Sequence, residues 1–375
     1  MISTRLHGVI DYSVSAALGL LSASGRLSRP VRNSLRGAGA YHASYSVVTD
    51  YEAGLSPRLS MRQHLALDSA GAIALIGAGL LMRRPPPRER ALLVGIGLAE
   101  LAVVAFSSTT PSPGITPNAD RGLGTLADAG GFEGVDYQPL DTPKPVADDI
   151  FIVDSLLPGV LGKLLAVRMT EIRLQNGDLL LYSPTRFTAR LQAELQQLGR
   201  IRHLVAPSFA HWMFLAEWQR QCPDATTWAA PGLKGRRQVR AARVRIDHEL
   251  GESAPVEWAR DVALCSIPGG FGFREVALFH RASRTALLAD LVQNFERRKV
   301  PVLMRPIVRL LGVMAPGGSA PLDLRAVIAL RRSDAAQAVR ALLAMQPERV
   351  IFAHGRWFDR DGTAALRQAT RWLLG

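Results

Sequence analysis

The chain has 375 residues, too many for one ordinary single-core domain at roughly 150 residues each. A hydrophobic content of 48% and a mean hydropathy of +0.09 exclude a disordered chain, and two cysteines, Cys222 and Cys265, exclude a disulfide scaffold or a CxxC zinc site. The net charge of +13 comes almost entirely from arginine, with lysine only at Lys144, Lys163, Lys234 and Lys299, so it is weak ground for a nucleic-acid partner.

Residues 1–107 contain no lysine and carry apolar stretches at Val9–Ala23, Leu65–Met82 and Ala91–Phe106, with a more polar one at Gly37–Val48. As helices of 1.5 Å per residue these span ~22–27 Å, slightly short of a ~30 Å hydrocarbon core. Their Gly/Ala content suits close helix packing in lipid, they lack a charged face, and charged connections flank them, which together favour a four-helix membrane bundle over a soluble one. The arginine-rich connections 26–36 and 83–90 contrast with 50–62, where acids offset the arginines. By the positive-inside rule this puts both termini outside and makes the C-terminal part extracytoplasmic.

The first half is internally repeated. His7 and Asp11 open the first helix, and His64 and Asp68 open the third; each pair has i, i+4 spacing and shares a helix face. Thr49-Asp50-Tyr51-Glu52 follows the second helix and Glu100 lies in the fourth. Two readings stand: a His/Asp/Glu metal or proton site facing the bundle interior, or polar pairs that fix the helix register. The strings HGVIDY, TDYEAG and HLALD resemble the SPW-repeat membrane proteins, although Ser56-Pro57-Arg58 stands where the Ser-Pro-Trp signature belongs. That resemblance implies membrane insertion and no assigned chemistry.

The segment 107–122, rich in Pro, Ser, Thr and Gly, reads as the start of a linker (108–130) between a domain at 5–107 and one at 131–375. Beyond it, strands are expected at Asp149–Asp154, Val167–Leu174, Asp178–Ser183, Ile201–Ala206, Thr226–Ala230, Val262–Ile267, Glu275–His280 and Arg349–Phe352. The second and third form a hairpin about Asn176-Gly177. Helices are expected at Thr188–Leu198, Ala210–Cys222, Asp334–Met345 and Thr363–Leu374. Hairpins early and strand–helix alternation later fit an αββα sandwich better than a doubly wound sheet.

His211, His280, Asp290 and His354 fall at strand ends, where rigid supports present side chains to a sheet mouth. Two histidines and a carboxylate can hold zinc or iron with a position left for water. Lys234–Arg245 lacks interleaved aromatics for base stacking and reads as a solvated basic surface, and nucleic acid is not the expected partner. Arg297–Met314, apolar but interrupted by Arg305 and Arg309, reads as a surface or covering segment rather than a fifth span.

The strings RMTEIRLQNGDLLLYSPT (168–185), HLVAPSFAHWMFLAEW (203–218), FHRASRTALLADLVQNF (279–295) and VIFAHG (350–355) resemble the metallo-β-lactamase fold, in particular an uncharacterised lactamase-like family. The resemblance gives Asp290 the place of the metal-bridging aspartate and His354 that of the last ligand. It also exposes departures. Where HxHxDH belongs, the chain reads Pro207 to Trp212 with only His211 retained, and Gly269-Gly270-Phe271-Gly272 replaces the next ligand histidine. The resemblance therefore implies at most one ion of Zn, Fe or Mn on His211, Asp290 and His354, with His280 or Glu275 as possible additions and His280 as the acid that protonates a leaving group. The expected function is a membrane-tethered hydrolase of an ester, lactone, thioester or phosphoester, with a lipid bilayer and an unknown small molecule as partners. The alternative is an inactive lactamase-like fold that binds a ligand or acts as a scaffold.

Overall fold

The computed structural model describes residues 4–50, 58–107, 137–158, 164–300, 302 and 305–375. The linker reading at 108–130 and the Tyr51-Glu52 pair lie outside the described residues. The chain divides into two compact units, Met1–Pro113 and Gly114–Gly375.

The first unit contains α1 (Thr4–Ser22), α2 (Arg29–Ser46), α3 (Met61–Leu81) and α4 (Pro87–Phe106). Helix α3 begins with a reciprocal cap: Ser60 Oγ accepts from the Gln63 amide, and the Gln63 side chain accepts from the Ser60 amide. Leu18, Val31, Leu35, Leu75 and Leu93 form the bundle core. Helices α3 and α4 approach closely at Gly97, where a Cβ would run into the Ala72 carbonyl. By length and composition α3 is the one described helix apolar enough to cross a membrane, and only 33% of its apolar window is buried.

The second unit is a two-sheet sandwich. A seven-stranded sheet follows chain order: β1 (Lys144–Ala147), β2 (Ile150–Pro158), β3 (Leu164–Arg173), β4 (Asp178–Tyr182), β5 (Arg200–Ala206), β6 (Thr226–Ala229) and β7 (His248–Glu249). Strands β1–β4 are an antiparallel meander, whereas β4–β7 run parallel. The facing sheet has the order β12-β10-β9-β8, from β8 (Val262–Pro268), β9 (Arg274–His280), β10 (Thr285–Leu287) and β12 (Arg349–Ile351). In it β10 pairs antiparallel with β9 and parallel with β12. Between the sheets Ile150, Ile172, Tyr182, Val205, Trp228, Trp258, Val276, Leu278 and Ile351 form the core, the expected outcome of period-two alternation on both inner faces. Helix α5 (Ala189–Leu198) starts at the Thr188 cap, packs on β5 and buries Leu191 and Leu195. A longer helix, Arg332–Ala344, packs on β8.

Two expectations shift. The helix expected at Ala210–Cys222 is confined to Leu215–Gln221, and residues 208–214 are bends and turns. The closing helix breaks at Thr370, whose hydroxyl bonds back to the Leu366 carbonyl, giving Gly362–Ala369 and Arg371–Leu374. Within the basic stretch 234–245, Arg236 is buried over the Phe209 ring and Arg245 bonds the Pro223 and Ala225 carbonyls, so both serve the domain itself.

Glu171 lies in the middle of β3, fully buried, with neither carboxylate oxygen bonded among the described residues. Burial pushes it up from 4.5 to about 8, so it carries a proton at neutral pH. A folded value above the unfolded one means the unfolded chain releases this proton first. Stability attributable to Glu171 is therefore whole below pH 4.5, declines as pH rises, and levels off above pH about 8. Glu171→Gln should remove that slope. Chemical denaturation is expected to show similar stability for the two proteins at pH 4.5 and a variant more stable by a few kcal/mol at pH 8.

Candidate metal centre

The parallel strands β4, β5, β10 and β12 all point their C-terminal ends at one mouth of the sandwich, and the chemistry collects there. Ser183 follows β4, His211 lies in the turn after β5, Asp290 follows β10, and His354 follows β12. The metal-ligating atoms of His211, Asp290 and His354 lie within 4.8 Å of one another. His211 Nε2 is 3.1 Å from Asp290 Oδ2, and His354 Nε2 is 3.5 Å from Asp290 Oδ1. The two imidazole centroids are 5.5 Å apart.

The outer nitrogens decide what faces inward. His354 Nδ1 is 2.9 Å from the Ala166 carbonyl, which can only accept, so Nδ1 carries the hydrogen. In the neutral ring Nε2 then offers a lone pair, aimed at a carboxylate oxygen that is also an acceptor. A metal ion placed between these two acceptors would satisfy both. Ser183 Oγ holds His211 Nδ1 at 2.7 Å. Oxygen partners on the outer nitrogen are the usual device for orienting histidine ligands.

Electrostatics agrees with this assignment. Burial drags His354 down to about 4, against the opposing pull of the Asp290 charge, so the ring is neutral at physiological pH. Burial works against the Asp290 carboxylate, but the His211 and His354 rings and a 2.9 Å bond from Gln293 hold it well below the usual range. The centre thus presents a carboxylate and, at His354, a neutral imidazole, the forms that ligate metals.

Three further groups hold these side chains. Glu275, at the start of β9, accepts from the backbone N–H groups of Ala289, Asp290 and Leu291, each at 2.9 Å. Its oxygens fix the Asp290 loop and so are not additional ligands; burial and the Asp290 charge push it up to about 7 despite those donors. Arg168, buried on β3, donates to the Phe352 and Gly355 carbonyls on either side of His354 and pairs with Asp154 at 2.6 Å. Gly355 has a φ of +88°, and a Cβ there would strike the Asn294 carbonyl, so the His-Gly step packs against β11 (Gln293–Asn294) only as glycine. Phe295 stacks on the His354 ring at 6.3 Å between centroids.

His280 is not brought to this group. It ends β9 opposite Thr285, at the far end of the strand from Glu275, roughly 17 Å away at ~3.4 Å per residue. Its Nδ1 bonds Ser283 Oγ at 2.8 Å inside the β9–β10 turn. The expected role as a proton donor at the centre fails on this distance: an antiparallel hairpin carries His280 and Asp290 to opposite ends of the sheet. Ser183, Arg168 and Gln293 were not singled out by the sequence. Ser183 and Arg168 carry no local signal because their partners, His211 and the chain around His354, lie 28 and 184–187 residues away, whereas Gln293 reaches Asp290 from only three residues on.

Residues 147–316 match a domain family described as "Domain of unknown function (DUF4336)". That segment includes His211 and Asp290 and ends before His354. No curated protein matches the chain. Among solved structures, the chain is similar to a metallo-β-lactamase from Pontibacter korlensis, at 10% identity over 62% of this chain and 97% of that one, with a TM-score of 0.42. It is similar to the FIM-1 metallo-β-lactamase from Pseudomonas aeruginosa in its mono-zinc form, at 13% identity over 62% and 94%, with a TM-score of 0.42. A metallo-β-lactamase from Erythrobacter litoralis matches at 12% identity over 62% and 95%, again with a TM-score of 0.42.

Removing an outer hydrogen bond should weaken the centre without unfolding the domain. Ser183→Ala is expected to lower metal affinity about 10-fold or more, read by competition with a chromogenic chelator, while His280→Ala leaves it unchanged. Equal losses in the two variants would overturn the placement of the centre.

Proposed function

We propose that the second unit is a metal-dependent hydrolase whose single ion rests on His211, Asp290 and His354, acting on an ester, lactone, thioester or phosphoester. The observation that carries this reading is the His354 Nε2 lone pair facing the Asp290 carboxylate with its Nδ1 hydrogen already spent on Ala166. Zinc, iron and manganese all accept such a set of two imidazoles and a carboxylate. When bound, such an ion supplies Lewis-acid polarisation of a substrate oxygen and lowers the pKa of a water that it holds.

The chain's own groups do the positioning. Asp290 brings the negative charge, and Glu275 keeps its loop in place through three backbone bonds. Ser183 and the Ala166 carbonyl keep both Nε2 atoms turned inward. Arg168 ties the His354 segment to β3, and Phe295 covers one face of the His354 ring. A second reading, a ligand-binding protein without turnover, is favoured by Pro207, Ser208 and Phe209 standing where further ligands would be expected and by His280 lying too far to donate a proton.

We further propose that the helical unit seats the protein in a lipid bilayer as a multi-pass anchor. Large apolar side chains stand exposed on its surface, among them Ile73, Leu80, Leu81, Leu98 and Phe106, with Leu81 81% exposed. So broad an apolar exterior is costly in water and suits lipid. The extracytoplasmic side for the α/β unit rests on the arginine distribution of the connections alone.

Elemental analysis of chelator-free protein, beside an Asp290→Ala/His354→Ala variant, tests the hydrolase reading. Loss of one equivalent of Zn, Fe or Mn in the variant, together with turnover of at least one ester, thioester, lactone or phosphoester by the parent, is the expected result. Metal without turnover across these classes favours the binding reading, and an unchanged metal content defeats the hydrolase and leaves the binding reading. Recovery of the full-length chain in the soluble fraction without detergent would defeat the membrane proposal.

A further inference from the structure

The repeated His-x-x-x-Asp pairs of the first unit meet. His7 and Asp11 of α1 and His64 and Asp68 of α3 are all buried, and one ligating atom from each lies within 4.8 Å of the others. His7 Nε2 is 2.9 Å from Asp68 Oδ2 and 3.3 Å from Asp11 Oδ1. His64 Nε2 is 3.0 Å from Asp11 Oδ2 and 3.3 Å from Asp68 Oδ2. The two Nε2 atoms are 3.1 Å apart. Bonds of ~2.1 Å to a common ion set adjacent donors about 3.0–3.4 Å apart in octahedral or tetrahedral geometry, and every one of these contacts falls in or next to that range.

The hydrogens are again accounted for on the outer side. Thr49 Oγ1 donates its single proton to the Tyr45 carbonyl at 2.7 Å, so its 2.7 Å contact with His64 requires Nδ1–H to be the donor. Ser107 Oγ donates to the Val103 carbonyl at 2.6 Å, so His7 Nδ1–H donates to it in turn. Both rings therefore turn Nε2 inward, toward the other ring and toward two carboxylates. Tyr45 donates to Asp68 Oδ1, leaving Oδ2 for the centre.

A second observation lies beside the cluster. A cavity of about 250 Å³ is lined by His7, Asp11, His42, Asp68 and Glu100 with apolar walls such as Val14. His42 and Glu100 are more than nine-tenths buried, and neither imidazole nitrogen nor carboxylate oxygen has a hydrogen-bond partner among the described residues; the two groups stand 3.7 Å apart. Buried polar groups without partners are expensive unless something occupies the space between them.

From these juxtapositions we infer that the helical unit binds a divalent first-row transition-metal ion on His7, Asp11, His64 and Asp68, with His42 and Glu100 lining the cavity on its open side. Mixed imidazole and carboxylate ligands suit zinc, iron or manganese rather than calcium or magnesium, which prefer all-oxygen sites. The site is separate from the centre of the α/β unit and does not depend on it.

The test uses the full-length chain in detergent with Asp290→Ala/His354→Ala, so that the α/β centre is silent. Stripped protein is titrated with cobalt(II), followed by its visible ligand-field absorption, and its native metal content is measured before stripping. One equivalent of cobalt with imidazole-type absorption is expected. The conservative Asp11→Asn/Asp68→Asn variant, which preserves side-chain volume, should bind at least 100-fold more weakly while its helical circular dichroism stays at the parent level. If that variant loses its helical signal, histidine nitrogen NMR of the parent decides: a bare Nε2 that shifts on adding zinc supports the site. Nε2 atoms protonated and indifferent to zinc, or cobalt binding untouched by the double substitution, would overturn it and leave a network of imidazolium–carboxylate pairs.

Discussion

Where a histidine spends its Nδ1 hydrogen determines what its other nitrogen offers, and the chemistry of both units depends on that constraint. His354 gives it to a carbonyl of β3, His64 to a threonine whose own proton is committed, and His7 to a serine in the same position. Each ring is left with Nε2 turned inward beside a carboxylate. All three rings are buried, and a cation shared between Nε2 and the carboxylate would satisfy both.

The α/β unit builds this arrangement from strand ends. The parallel strands β4, β5, β10 and β12 deliver their following residues to one edge, and the buried core between the sheets fixes the spacing of those ends. Support then comes from charge placed inside the fold. Glu275 gathers three backbone donors of the Asp290 loop, and Arg168 joins β3 to the chain on either side of His354. Removing a partner from such buried networks costs far more than forming them gains, because the remaining donors or carbonyls have no water to turn to.

The two clusters are built differently. In the α/β unit three ligands come from turns after strands, where the backbone path sets each side chain. In the helical unit four ligands come from two i, i+4 pairs, so each helix supplies a preformed half and only the packing of α1 beside α3 must bring the halves together. Gly97 permits the close approach of α3 and α4 that places Glu100 beside the same cavity.

Much of this was legible in the sequence. The Asn176-Gly177 hairpin, the strand at 201–206, the helix at 189–198 and the apolar helices follow from turn chemistry and periodicity, which are local. His211, Asp290 and His354 were legible as strand-end residues because strand ends can be read from the same local pattern. His280 was misplaced because nearness in sequence to Asp290 says nothing about which end of a hairpin each residue reaches. The shortened helix after His211 reflects turns held by contacts such as the Trp212 indole on the Phe209 carbonyl. Ser183, Arg168 and the outer hydrogen-bond partners of His7, His64 and His354 were beyond the sequence. By itself, the sequence determined the elements and the residues able to ligate. The tertiary structure alone decided which of them share a centre, because hydrogen-bond partners remote in the chain are chosen by packing and not by local preference.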